Sequence, residues 1–164
     1  MSAMQPQEGG ANRARGVSDV RTWTFRLFPE PAKSRLYVRA LVFDRRKDML
    51  EFWRQSHDQL GRARASCAEV SVLEPSKNGN RPRLSPLIAR VSLWRKEMDV
   101  GTITHEFGHA ALAWARRRKL KVEHLDDGID GLIPQNHPEE RIAWALGSLT
   151  SQFVSRANKA GLYS

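Results

Sequence analysis

Residues 22–28, TWTFRLF, set Trp23, Phe25 and Leu27 against Thr24 and Arg26, and this period-two alternation predicts a half-buried strand. After a proline-containing turn, RLYVRALVF (35–43) reads as a second strand. Asp44 then offers an N-cap, and Met49, Phe52, Trp53, Ser56 and Leu60 recur at helical spacing up to Gly61. In CAEVSVLE (67–74), Ala68, Val70 and Val72 alternate with polar neighbours, and LIARVSLWR (87–95) is a further strand. Between these two, PSKNGNRPRLSP (75–86) holds three prolines and an Asn-Gly pair, which predicts a loop and makes the strands a long-looped hairpin.

From Asp99 the period changes. Ile103, Phe107, Ala110 and Trp114 share one face of a helix, capped by Asp99 or Thr102 and ended by the basic run RRRKLK (116–121). A short strand at VEHL (122–125) and the turn-rich DDGIDGLIPQNHP lead to a last helix that starts near Pro138. Ile142, Leu146, Leu149 and Phe153 form its main apolar face. The expected fold class is α+β: a small mixed, mainly antiparallel sheet followed by two principal helices.

Length and composition add bounds. A chain of 164 residues with 40% apolar residues and five tryptophans suits one domain with a real core. We expect residues 1–20, polar and without a continuous apolar run, to be a disordered tail, and residues 21–164 to be that domain. No stretch has the length of a membrane helix, so no membrane partner and a cytoplasmic setting are expected; nothing in the sequence fixes the oligomeric state. Cys67 is the only cysteine, which excludes an intramolecular disulfide and a cysteine-rich zinc site, so any metal must use histidine and carboxylate ligands. The net charge of +9 favours an acidic partner such as nucleic acid. Its basic residues are spread along the chain, however, without an interleaved block of aromatics, and a solvated basic surface accounts for them.

The chemistry concentrates in THEFGHAALAW (104–114). Positions four apart on a helix lie one above the other, so His105 and His109 can direct their imidazoles to one point, as two zinc ligands do. Glu106 is turned about 100° from His105 around the axis, placed to accept a proton from a water at that point as general base. The histidines lie roughly opposite the apolar face. Gly108, a poor helix former, suggests that something approaches the helix closely there.

Hydrolytic zinc usually takes three protein ligands, so a third is needed. Leu112 and Ala115 stand where the elongated metzincin pattern requires Gly and His. The remaining candidates are His124, Asp126, Asp127, Asp130, His137, Glu139 and Glu140. The two glutamates also suit the first turn of a helix for the sake of its dipole, and His137 could steady an oxyanion. DDGIDG is a turn and not a calcium loop, because Gly128 and His137 occupy positions that would need acids.

HEFGH, followed some thirty residues later by EERIAWALG, resembles the gluzincin zinc metallopeptidases, in particular the compact ImmA/IrrE-like and phage-borne ones, over residues 87–155. The resemblance implies a zinc-dependent peptidase acting on a polypeptide, with His105 and His109 as ligands, Glu106 as base and Glu140 as third ligand, Glu139 being its alternative. Arg141 departs from the ImmA-like pattern, which has Ala there. His124, fifteen residues beyond His109, offers a rival three-histidine site similar to that of SprT/Spartan-like proteases of DNA-bound proteins. A different class of function, a basic nucleic-acid-associated regulatory protein with a structural or degenerate zinc site, is the alternative. For the peptidase, LIARVSLWR is the strand expected to pair with extended substrate.

Overall fold

The computed structural model describes residues 21–30, 35–54, 65–74, 82–120 and 137–163. The expected tail (1–20), the end of the first helix, the loop tip at 75–81, the strand at 122–125 and the candidates His124, Asp126, Asp127 and Asp130 lie outside these residues.

Strands β1 (Thr22–Leu27), β2 (Tyr37–Phe43), β3 (Ala65–Glu69) and β6 (Leu87–Trp94) form one sheet in the order β1-β2-β6-β3, while β4 (Leu73–Glu74) and β5 (Arg83–Leu84) form a small separate ladder. Helices α1 (Arg46–Arg54), α2 (Val100–Arg117) and α3 (Pro138–Lys159) complete an α+β fold. The β1–β2 and β3–β6 pairs are antiparallel and β2–β6 is parallel, so the sheet is mixed and mainly antiparallel.

The alternation along each strand sorts the sheet into two faces. Phe25 and Leu27, Val38, Ala40 and Val42, and Ala89, Val91 and Leu93 point inward against α2 and α3. On the outer face, Leu41, Phe43 and Trp94 meet Met49 and Trp53 of α1. β6 carries apolar residues on both sides because it is central, paired with β2 and β3. The strand expected to offer a free edge to substrate therefore has none. Among the described strands that edge belongs to β3, which lies beside α2.

The hairpin between β3 and β6 is present, but it is less regular than the sequence suggests. The backbone bonds Val70 N–H to Ile88 (2.8 Å) and Ser85 N–H to Val72 (2.8 Å) extend the pairing beyond the strands, and β5 lies within the stretch expected to be loop. Asp44 is not a cap: α1 opens at Arg46, and the Asp44 carboxylate instead faces Arg95 at 3.5 Å. The three arginines of the basic run at the end of α2 are taken up by the protein itself. Arg116 pairs with Glu69 (2.6 Å), Arg117 donates to the carbonyls of Val70 (2.8 Å) and Ser85 (3.2 Å), and Arg118 reaches Glu30 (3.1 Å).

Helices α2 and α3 close with the same turn. Leu120 N–H bonds to Ala115 O and Lys119 N–H to Arg116 O, as Leu162 N–H does to Ala157 O and Gly161 N–H to Asn158 O. The turn needs a left-handed residue, which is Gly161 (φ 67°) after α3 but Lys119 (φ 55°) after α2. A side chain at that φ costs energy that glycine avoids. Lys119→Gly is therefore expected to stabilise the protein by about 0.5–1 kcal/mol, measured as a higher urea midpoint with unchanged m-value.

Candidate functional site

Asp99 starts α2: its carboxylate accepts from Thr102 N–H (2.7 Å) and Thr102 Oγ1 (3.1 Å), which settles the cap between the two expected residues. From that cap the helix phase follows. Ile103, Phe107, Ala110 and Trp114 are fully inside, and His105 and His109 are exposed on the other side with Leu112. The two histidine Nε2 atoms stand 3.2 Å apart, with their rings nearly perpendicular (86°).

That separation has a specific meaning. Two nitrogens each about 2.0–2.1 Å from a tetrahedral zinc lie roughly 3.3 Å apart, so the pair fits two corners of one zinc site. Without metal, one ring must donate to the other across the same gap.

Glu106 follows His105 but turns inward and is only 8% exposed. Burial raises its pKa above the usual carboxylate value, and His105 and His109 oppose that shift. A carboxylate whose proton affinity is raised in this way is a better base near neutral pH. It also carries a sign for stability. The group is neutral in both states below its unfolded value of 4.5; the fold resists its ionisation as pH rises, and the penalty is complete above the raised folded value. Metal-free Glu106→Gln is thus expected to melt above metal-free wild type at pH 7–8, with the difference closing below about pH 4.5.

Cys67 on β3 lies close enough to Glu106 to feel its charge. Burial, with Glu106 and Glu69 adding to it against Arg116, pushes the Cys67 thiol up to about 12, so it stays protonated and inert as a nucleophile.

Among the described residues nothing approaches Gly108 closely. A methyl group there would meet nothing within 4 Å among the described residues. Gly108→Ala is expected to stabilise the metal-free protein by about 1 kcal/mol in thermal melts, the ordinary helix-propensity gain.

Of the expected third ligands, those among the described residues, His137, Glu139 and Glu140, form no metal-binding group with the pair. Among the described residues no third His, Cys, Asp or Glu completes a metal-binding group. Phe107 packs on Phe153 of α3 with ring centroids 5.2 Å apart, and Phe107 is two residues from each histidine, roughly 160–200° around the axis. Helix α3 and the histidines thus lie on opposite sides of α2. The start of α3 is also displaced along the axis: the Arg141 guanidinium sits 5.7 Å from the centre of the Trp114 ring, and Arg141 and Arg118 share Glu30. Glu140 lines a surface groove with Pro29, Ala143, Trp144 and Gly147. His137 is the N-cap of α3, its Nδ1 accepting from Glu139 N–H at 3.4 Å.

The feature that sequence reasoning missed is the neighbour of the histidine face. Arg116 is seven residues from His109, hence on the same face, and its bond to Glu69 places the exposed edge of β3 alongside. No signal in the sequence pointed to it: Arg90 and Ser92 interrupt the apolar residues of LIARVSLW, so its pattern does not tell a central strand from an edge. Among the described residues no helix is long and apolar enough to cross a membrane. Comparison with protein-family models, with curated proteins and with solved structures yields no match.

Proposed function

We propose that the chain is a zinc-dependent metallopeptidase in which His105 and His109 hold the metal and Glu106 is the general base. The observation that carries the reading is the pair of imidazole nitrogens 3.2 Å apart on an open helix face, with a buried carboxylate on the next residue. Zinc, when bound, supplies Lewis acidity for the scissile carbonyl and for the attacking water. Glu106 takes a proton from that water and passes it to the leaving amine. The edge of β3 gives an extended substrate main chain a ladder to bind beside the histidines.

The resemblance to gluzincins assigns Glu140 as third ligand, with Glu139 and His124 as rivals. The side of α2 on which α3 packs favours His124. Six residues separate it from Arg118, a reach of up to about 20 Å, whereas His109 lies about 14 Å back along the helix. Zinc affinity measured by chelator competition is expected to fall at least about 100-fold in His124→Ala and to hold in Glu140→Ala and Glu139→Ala. The reverse result restores the carboxylate site.

The peptidase reading itself is tested by incubating zinc-loaded protein with a pool of unstructured peptides. New amino termini are expected by mass spectrometry, abolished by chelator and restored by zinc. Bound zinc without cleavage of any peptide would assign the metal a structural role.

A further inference from the structure

We propose that the outer face of the sheet, at a row of three arginines, binds single-stranded nucleic acid. The register aligns Arg26 of β1 with Arg39 of β2, and Arg39 with Arg90 of β6, in one row across three strands. All three alternate with inward core residues, so they share the face away from α2 and α3. Adjacent strands are about 4.8 Å apart, and the row therefore spans roughly 10 Å.

Such a row is unfavourable by itself, because like charges directly opposite one another repel. Among the described residues no salt bridge neutralises it: none involves Arg26, Arg39 or Arg90. Nor do the outward positions of the four strands hold an acid. Those that flank the row are Thr24, Tyr37, Leu41, Ala68 and Ser92.

Aromatic rings complete the surface. The Arg26 guanidinium lies 4.0 Å from the Tyr37 ring centre and 5.2 Å from that of Phe28, so half-buried rings border the cationic row. Guanidinium groups beside aromatic faces are what a single strand needs for its phosphates and bases. A single strand laid across the row can offer its phosphates to the guanidinium groups and its bases to the bordering rings, as bases stacked inside a duplex cannot. The combination escapes sequence inspection because Arg26, Arg39 and Arg90 are distant in the chain, and only the register unites them. The net charge of +9 supplies the long-range attraction.

The test is fluorescence anisotropy with a labelled twenty-nucleotide oligothymidylate between 50 and 200 mM salt. Arg39→Gln/Arg90→Gln is expected to weaken binding roughly ten-fold or more at the low salt and to reduce the salt slope by about 1.4, at about 0.7 per lost phosphate contact. Arg39→Lys/Arg90→Lys should keep most of the affinity. Lys96→Gln/Lys159→Gln, an equal charge loss at the turn after β6 and the end of α3, should leave the slope near that of wild type. If the glutamine double variant fails to fold by circular dichroism, Arg26→Gln at an exposed position carries the same test with a slope change of about 0.7. The proposal is overturned if wild type does not bind, if the lysine control loses as much as the arginine variant, or if an acidic peptide binds this face more tightly than the oligonucleotide. His105→Ala should bind the oligonucleotide as wild type does, which separates failure here from failure of the zinc reading.

Discussion

Glu106→Gln is expected to lower peptide hydrolysis by about 10²–10⁴-fold while zinc stays bound, because the amide occupies the carboxylate's place but cannot accept the proton. The variant also separates chemistry from folding. The Glu106 carboxylate is buried and its ionisation resisted, so its removal raises the melting temperature of the metal-free chain at neutral pH while removing activity. A group retained only for packing would show the opposite: a lower melting temperature and unchanged turnover. Initial rates on any peptide found to be cleaved, measured beside zinc stoichiometry, decide between them.

The largest expected effect on stability is at Phe107. Its ring is fully buried, 5.2 Å from Phe153, and Phe153 in turn meets Phe25 edge-on at 5.7 Å. These three rings join α2, α3 and β1, so truncation leaves a cavity at the centre of three elements. Phe107→Ala should cost about 3–5 kcal/mol, equivalent to a fall of roughly 10–15 °C in Tm for a domain of this size. Differential scanning calorimetry measures it directly. A loss below about 1 kcal/mol would mean that α2 does not rest on this stack. The consequence reaches the site, since the same packing that holds Phe107 inward turns His105 and His109 outward.

Much of this was legible in the chain. Trp23, Phe25 and Leu27 announced β1 by alternation, and Ile103, Phe107, Ala110 and Trp114 fixed both the existence and the phase of α2, hence the exposure of the two histidines. Pairing was not legible. Periodicity reports which side of a strand is apolar, not which neighbour it takes, and so LIARVSLWR was read as a substrate-facing edge when it is the central strand. The apolar stripe of α3 was legible at Leu149 and Phe153 but not in its other positions. Ala145, Leu149, Phe153 and Ala157 are buried and Ile142 and Leu146 only partly so, because small residues let α3 approach α2 closely. Glu140 and its neighbours Ala143, Trp144 and Gly147, a site motif in one dimension, line a surface groove in three. In three dimensions Trp144 is 71% exposed, and that face of α3 points to solvent and to Pro29. The arginine row is the converse case, invisible by spacing and produced wholly by strand register.

The central claim is that His105 and His109 are two ligands of one zinc, and the most direct measurement is the zinc content of the chain after metal removal and titration. Isothermal titration with zinc, checked by elemental analysis, should give one zinc per wild-type chain, and none retained after gel filtration in either His105→Ala or His109→Ala. Failure of the wild type to bind zinc, or undiminished binding in His105→Ala, would contradict the account.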